Sequence, residues 1–544
     1  MRIKKFMRAA LVALLPGATL AMAAERVTSP LEERLRPGET QDKQPRNTAP
    51  IAPAPAKARI ESGAESSVLI RSIKFEGVRV PAIVANAARP FIGRTASRAA
   101  LEDLASALTA AYERSDVALF TVVIPRQSFE DGLVRVLTAE GFVESVTLDG
   151  EAADHANTLV TAFAERLTRE KPASRRTLER QLSLINDIPG LKTASSFSYG
   201  QRPGAVRLTL ALDYQRPTVS AGFSNRSSRF VKDGQFTGAA KAYRLLRDGD
   251  FTSLKLAASV NFEDSLYAGL QHTTPLGASG ARADIGAALL RSRPSGTVIE
   301  GDAQIYTAGV SYPVIRDYRT TLSMRAGVDI VNSDNAAFGS LIATERTRAA
   351  GLSAAFARNW ETRRANFSAE IKRGAPVAGA RVSGLIGDAE YFKARIDAAI
   401  VQSLGDSWRL KANAALQWTD DNLPASERFS VGGARFGRAF SAGLINADRG
   451  AALLLEPAWR PINGGAFARS EIYAFADYAY VESFARPGGD NRYVDLGSAG
   501  GGVRIAYRDK GSLELEMARP FDQPAAGFEQ DWRFSASWRI DIRP

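Results

Sequence analysis

The chain has 544 residues, with 70 Lys and Arg against 59 Asp and Glu, a formal charge of +11, no cysteine and only two histidines, His155 and His272. The missing cysteines exclude a disulfide framework and thiol chemistry, and two distant histidines argue against a histidine-based metal centre. Acids and bases are interleaved, which points to a solvated mixed-charge surface rather than a nucleic-acid face; no nucleic acid, metal or cofactor is expected, and the length exceeds that of one ordinary soluble domain.

Residues 1–23 read as a secretory signal. Arg2, Lys4, Lys5 and Arg8 form the positive region, Ala9 to Leu20 the short apolar core, and Ala21-Met22-Ala23 the small-x-small cleavage site. That core is too short to span a bilayer, and no later stretch offers about 20 uninterrupted apolar residues. Any membrane residence is therefore expected from a barrel.

Residues 24–60 follow as a short helix and a linker. Ser29 suits an N-cap, Pro30 the first helical position, and Glu32 completes a capping box for a helix to Arg36. Pro37-Gly38 stops it, and the Pro- and Ala-rich stretch to about Lys57 reads as flexible. In the first α/β unit, 66–140, Val68 to Val78 is strand-like and Ser97 caps a helix from Arg98 to about Arg114. Leu101, Leu104, Ala105, Leu108, Ala111 and Tyr112 form its apolar stripe. Strands at Leu119–Pro125 and Leu133–Ala139 close the unit. The pattern restarts in 141–215: a strand from Phe142 to Leu148, helices at His155–Arg169 and Ser174–Ile188, a stop at Pro189-Gly190, then strands at Leu191–Tyr199 and Ala205–Tyr214. Two units in strand-helix-helix-strand-strand order make an internal repeat.

From about Arg216 to Pro544 the period changes to two. Leu254, Leu256, Ala258, Val260 and Phe262 share one face; so do Thr320 to Ile330, Phe392 to Ala398, Trp408 to Trp418 and Trp532 to Ile542 at every second position. One apolar and one charged face over about ten residues is the signature of an outer-membrane barrel, with the charges inward and Trp408 and Trp418 at the interfaces. The length allows about 16 strands. Inward arginines such as Arg325, Arg395 and Arg409 are expected to form a generic solvated wall. Pro544 departs from the aromatic that usually ends such a barrel.

One stretch breaks the alternation: Glu427 to Glu456, with Phe429, Gly432-Gly433, Gly437-Arg438-Ala439-Phe440 and Asp448-Arg449-Gly450 before Leu453-Leu454-Leu455. Glycines permit tight turns and close approach. An arginine on such a hairpin is a five-donor fork seeking a carboxylate, and Asp477, in Phe475-Ala476-Asp477-Tyr478-Ala479, is a candidate on a strand downstream. Its inward neighbours are Tyr473, Phe475 and Ala479. No catalytic constellation is present. The glycine-rich GGARFG lacks the Lys-Ser/Thr end of a phosphate loop, and Gly497-Ser498-Ala499-Gly500 is not a nucleophile elbow.

These motifs resemble the outer-membrane transporters of two-partner, or type V, secretion: the B-partner family that exports large haemolysins and adhesins. In that family a long loop folds back into the barrel. Its tip arginine, in an Arg-Gly-aromatic motif, pairs with the aspartate of a Phe-x-Asp-x-Gly motif on the inner wall. Arg438-Ala439-Phe440 and Phe475 to Ala479 match, each with alanine for glycine. The repeat resembles tandem polypeptide-transport-associated (POTRA) domains. The resemblance implies α+β periplasmic POTRA repeats followed by a transmembrane antiparallel β-barrel of 16 strands. Over 216–544 that barrel would carry an in-folded lid near 427–456. It also implies an Arg438–Asp477 lock, a lid motif of Gly432, Gly433, Gly437, Phe440, Asp448 and Gly450, a wall motif of Phe475 and Ala479, and an N-terminal helix that plugs the pore. The implied partners are an unfolded secreted exoprotein with an N-terminal secretion domain, the surrounding outer-membrane lipid, and the barrel-assembly machinery for insertion. A barrel assembly or insertion factor of the same superfamily is an alternative, although such factors carry more periplasmic repeats. A porin-like channel is a weaker one, lacking both repeats and lid.

Overall fold

The computed structural model describes residues 59–60 and 67–542, apart from 130, 152, 154–157, 203, 229–230, 232, 339, 385, 487–488 and 523–530. The signal sequence, the Ser29–Arg36 helix and the linker to Lys57 lie outside the described residues.

The first α/β unit comprises β1 (Arg59–Ile60), β2 (Ser72–Glu76), α1 (Ala82–Ala88), α2 (Arg98–Glu113), β3 (Phe120–Ile124) and β4 (Leu133–Glu140), with sheet order β1-β3-β4-β2. Helix α2 starts where the sequence places it: the Ser97 hydroxyl accepts the Ala100 N–H at 3.3 Å, and the whole stripe from Leu101 to Tyr112 is buried against the sheet. Helix α1 has no side-chain cap at Pro81 and buries only Val84 and Ala88.

The second unit comprises β5 (Phe142–Asp149), α3 (Thr158–Arg169), α4 (Arg175–Asn186), β6 (Leu191–Tyr199) and β7 (Ala205–Tyr214), in sheet order β5-β7-β6. The expected helix at His155 begins at Thr158 among the described residues. Ser174 caps α4 by accepting the Thr177 N–H, and Gly190 takes the left-handed conformation just after it, at φ 73°. In this unit Phe163, Leu167, Leu182 and Ile185 pack on Leu208, Leu210 and Leu212.

The remainder closes into an antiparallel barrel of 16 long strands, from Thr218–Ser224 to Arg533–Ile542, with a two-residue strand Arg381–Val382 added at one rim. Neighbours in sequence are neighbours in the wall, and the last strand pairs back with the first through Trp538↔Phe223 and Ile540↔Ala221. Closure removes the unpaired edges that lipid cannot satisfy. Leu254, Leu270, Val310, Met324, Leu352, Ile396, Leu416, Leu455, Ile505 and Ile540 point outward as an apolar band. Trp408 stacks on Trp459 at one end of its strand, 6.4 Å between ring centroids, and Trp418 meets Phe392 at the other. Val260 and Phe262 correct the expected pattern. Their strand ends at Ser259, and Phe262 sits in a turn at φ 58°. The inner wall is also less generic than expected. Arg325 forks onto Asp284 at 3.1 and 2.7 Å, and Arg395 pairs with Asp397 at 3.0 Å.

Helix α4 rests on the barrel end reached by the short turns. Arg316 forks onto Asp187 at 2.6 and 2.7 Å, and Arg180 donates to the Tyr312 hydroxyl and the Pro313 carbonyl. Burial pushes the Glu179 carboxyl up to about 7, with Asp317 of the turn adding to the shift and Arg175 and Arg319 opposing it. A carboxyl whose folded value is raised stabilises docking fully below its unfolded value and loses that contribution as pH rises through the folded one. Hydrogen-exchange protection of α4 should therefore fall as pH rises from about 4.5 through about 7, and Glu179→Gln should flatten the profile at the protected level. An unchanged profile in the variant would contradict this account of the joint.

Candidate functional site: a loop folded into the barrel

Wall strands Trp408–Trp418 and Arg449–Trp459 pair directly, from Trp408↔Trp459 to Gln417↔Gly450. The 419–448 segment between them does not extend into solvent. It turns inward and forms a small buried hairpin of Phe429–Val431 with Ile445–Ala447, in register Phe429↔Ala447 and Val431↔Ile445. Two glycines make the turn possible. Gly432 has φ 101°, and a Cβ there would lie 2.2 Å from the Ser441 carbonyl oxygen; Gly437 has φ 73°, and its Cβ would meet Leu496 Cδ1 at 2.8 Å. Gly433 shares the left-handed conformation, while Ala439 and Ala479, where the family motifs have glycine, do not.

The apolar side of the loop seats Phe429, Val431, Phe436, Phe440 and Ile445 against Leu454, Phe475, Ala479, Val481 and Leu496 of the wall. Gly450 permits the closest approach: a Cβ there would meet Val481 at 2.7 Å and Phe429 at 3.0 Å.

The polar side is a latch. Asp477, 2% exposed, points into the lumen with Tyr473, Phe475 and Ala479, while Ile472, Ala474 and Ala476 face outward. Its carboxylate accepts the backbone N–H of Gly437 at 2.8 Å and of Arg438 at 3.2 Å, and the Ser498 hydroxyl donates to it at 2.8 Å. The structure therefore brings Arg438 and Asp477 together through the peptide N–H. The guanidinium fork expected on Asp477 lies elsewhere: its Nη1 donates to Glu456 at 2.9 Å and to Glu516 at 3.1 Å, its Nε to the Ala434 carbonyl, and its Cζ lies 4.6 Å from the Phe475 ring centroid.

Glu456 and Glu516 belong to a buried network that the motif reading misses. Arg504 bridges Glu456 and Glu471, Lys411 contacts the same two carboxylates, Arg226 reaches Glu516 at 2.9 Å, and the Tyr473 hydroxyl lies between Glu514 and Glu516 at 2.7 and 2.8 Å, with one proton shared by the two contacts. The available signal was a glutamate on the inward face of a strand whose outward face is Leu453 and Leu455.

A second set of contacts holds the base of the loop. Asp448 accepts the N–H groups of Leu423 and Phe484 and takes both terminal nitrogens of Arg486 at 2.6 and 2.8 Å. Glu427 pairs with Lys393 at 2.5 Å and Lys372 at 3.3 Å. Gln417 donates to the Glu427 and Asp448 carbonyls, both at 3.0 Å. These are holding contacts, with charge matched to opposite charge. Among the described residues no group of three or more acidic or histidine side chains is placed to hold a metal ion.

The family described as haemolysin secretion/activation protein ShlB/FhaC/HecB matches residues 211–505, and a ShlB-type POTRA domain matches 68–141. The heme/hemopexin transporter protein HuxB of Haemophilus influenzae is 20% identical over 468 residues, covering 81% of this chain and 80% of its own. Among solved structures, CdiB from Escherichia coli is 17% identical and superposes with a TM-score of 0.73, covering 96% of this chain and 100% of its own. CdiB from Acinetobacter baumannii is 16% identical, with a TM-score of 0.61 and coverages of 99% and 96%.

Gly437→Ala should strain the tip by about 1–3 kcal/mol, because an L residue would occupy a positive φ with Leu496 in its way. Asp477→Ala should leave two buried N–H groups without an acceptor, at about 1–3 kcal/mol each. Both variants should raise resting conductance in planar bilayers, and their combination should add little once the tip is released. Wild-type conductance in both would show that the tip is held some other way.

Proposed function

Because the chain belongs to the family of haemolysin secretion/activation proteins, we propose that it is the outer-membrane pore through which a large secreted partner protein of the haemolysin or adhesin type passes, without ATP, from periplasm to cell surface. The observation that supports this best is a closed barrel whose lumen is filled by its own loop. That loop is held by contacts that can break without disturbing the wall ladder. A diffusion pore gains nothing from such a lid. A conduit for an unfolded chain needs a seal at rest.

In this reading the second α/β unit is a second POTRA domain, and the two together receive the exoprotein's N-terminal secretion domain. Strands β2 and β6 stand at the edges of their sheets, where an extended chain adds as a further strand. The binding is modest in affinity, since the incoming segment loses its conformational freedom. Export is driven by folding of the cargo outside, which prevents its return. The lid must yield as the chain enters. The N-terminal helix is a second plug, and the barrel-assembly machinery inserts the protein after removal of its signal.

Deletion of the gene should remove one large protein from the medium or cell surface, and the wild-type gene should restore it. Arg438→Ala should lower that yield about tenfold or more, because Glu456 and Glu516 would be left as buried carboxylates short of a cation. An unchanged set of exported proteins on deletion would end the transporter reading.

A further inference from the structure

The strands Ile299–Arg316, Thr320–Ala337 and Ser340–Asn359 are the longest in the wall. Their outward residues change character along their length. Val310, Val328 and Leu352 belong to the apolar band. Beyond the row Tyr306↔Ile330↔Arg348, the same outward face carries Gln304↔Asn332↔Arg346 and then Asp302↔Asp334↔Thr344. Arg348 thus stands in the same row as Tyr306, with Ile330 between them, at the boundary where apolar tails give way to headgroups on the cell-surface side.

A cleft of about 340 Å³ opens on this face, lined by Asp302, Asn332, Asp334, Arg346, Arg348 and, from the 375–390 loop, Arg381. Arg381 is the direct cross-strand partner of Arg346. Two like charges opposite one another on one face destabilise a strand pair unless an anion lies between them, and Arg348 is diagonal to the same pair. The carboxylates present do not cover the charge. Asp334 is taken by Arg346 at 2.6 Å and by the Thr344 hydroxyl, and Asp302 by Arg291 at 3.3 Å. Arg348 donates to the Val331 and Thr347 carbonyls, and among the described residues neither it nor Arg381 makes an ion-pair contact with a carboxylate, Arg381 meeting the already engaged Asp334 only as a longer-range electrostatic neighbour. The Asn332 carboxamide oxygen is buried in this cleft with no partner.

The geometry points to a binding site for a phosphate monoester carried on the headgroup of an outer-leaflet lipid. Arg348 and Arg381 bring two guanidiniums without an ion-pair contact to one small cleft, beside the Arg346–Asp334 pair. Planar forks match phosphate oxygens in pairs, and weak hydration lets arginine serve at a membrane boundary. The cleft opens sideways at headgroup height, away from the lumen, so its occupant approaches from the membrane and not from the export path.

The test uses the full-length protein in nanodiscs of phosphorylated glycolipid, of the same glycolipid after dephosphorylation, and of phosphatidylcholine, with native mass spectrometry reporting retained lipid. The wild type should retain the phosphorylated glycolipid selectively. The double variant Arg348→Ala/Arg381→Ala should retain about tenfold less, and Arg348→Lys should fall between them. Arg381→Ala alone, in the loop, spares the long strands and should show a partial loss in a protein that still runs as a heat-modifiable barrel. Equal retention by wild type and double variant, or equal retention of the dephosphorylated glycolipid, overturns the proposal. So does binding of inorganic phosphate at this cleft with no lipid retained.

Discussion

The seat of the loop is built on one carboxylate of the wall, Asp477, that accepts two backbone N–H groups of the loop tip. The acceptor sits on a strand laddered on both sides, so its position is fixed before the loop arrives. The donors are peptide groups, so what is recognised is the shape of the tip, and that shape rests on Gly432, Gly433 and Gly437 at positive φ. Arg438 has a separate task. Its guanidinium bridges Glu456 and Glu516, two inward-facing acids that Arg504, Lys411 and Arg226 also hold. Tip and wall are therefore interdependent: the wall supplies acceptors and negative charge, and the loop supplies donors and a cation.

The same logic runs from tip to base. Strand alternation sends every second residue inward, and lipid outside forbids the opposite choice. The inner wall therefore collects charge, and a barrel of this strand number is too wide for its own side chains to fill. The returning loop fills the space and completes the pairings: Glu427 between Lys372 and Lys393, Arg435 on Asp397, and Asp448 within the fork of Arg486. Its aromatic residues cover the apolar part of the wall. The latch at Asp477 and the clamp at Asp448 sit at opposite ends of this insertion, so the tip can be released while the base stays attached.

Much of this was legible in the sequence, because it rests on local rules. Ser97 and Ser174 mark helix starts by their own chemistry, and alternation from Trp408 to Trp418 gives the face of each residue without knowledge of its partner. The lid announced itself through glycines and an arginine in a stretch without alternation. What escaped was of two kinds. Helix α1 carries no cap and a stripe of only two buried residues, so nothing local distinguishes it. The partners of Arg438 are set by which strands a barrel brings together: Glu516 lies 78 residues away, and no spacing rule connects them. Asp477 lies next to Arg438, but the contact is made by the Arg438 peptide N–H and not by its guanidinium. A motif names residues that meet, while the atoms that meet depend on the backbone turn between them.

For a chain to pass in this reading, the tip must leave its seat. The Ala442 N–H donates to the Ser227 carbonyl at 3.3 Å, which ties the tip to the first surface loop, and a disulfide introduced across this contact would hold the tip in its seat. The chain has no cysteine of its own, so Ser227→Cys/Ala442→Cys would carry the sole thiol pair. Export yield in cells bearing this variant, measured oxidised and again after reduction, is the direct test. The oxidised protein, folded and inserted, should export almost nothing, and reduction should restore the yield. Normal export with the disulfide intact would contradict this.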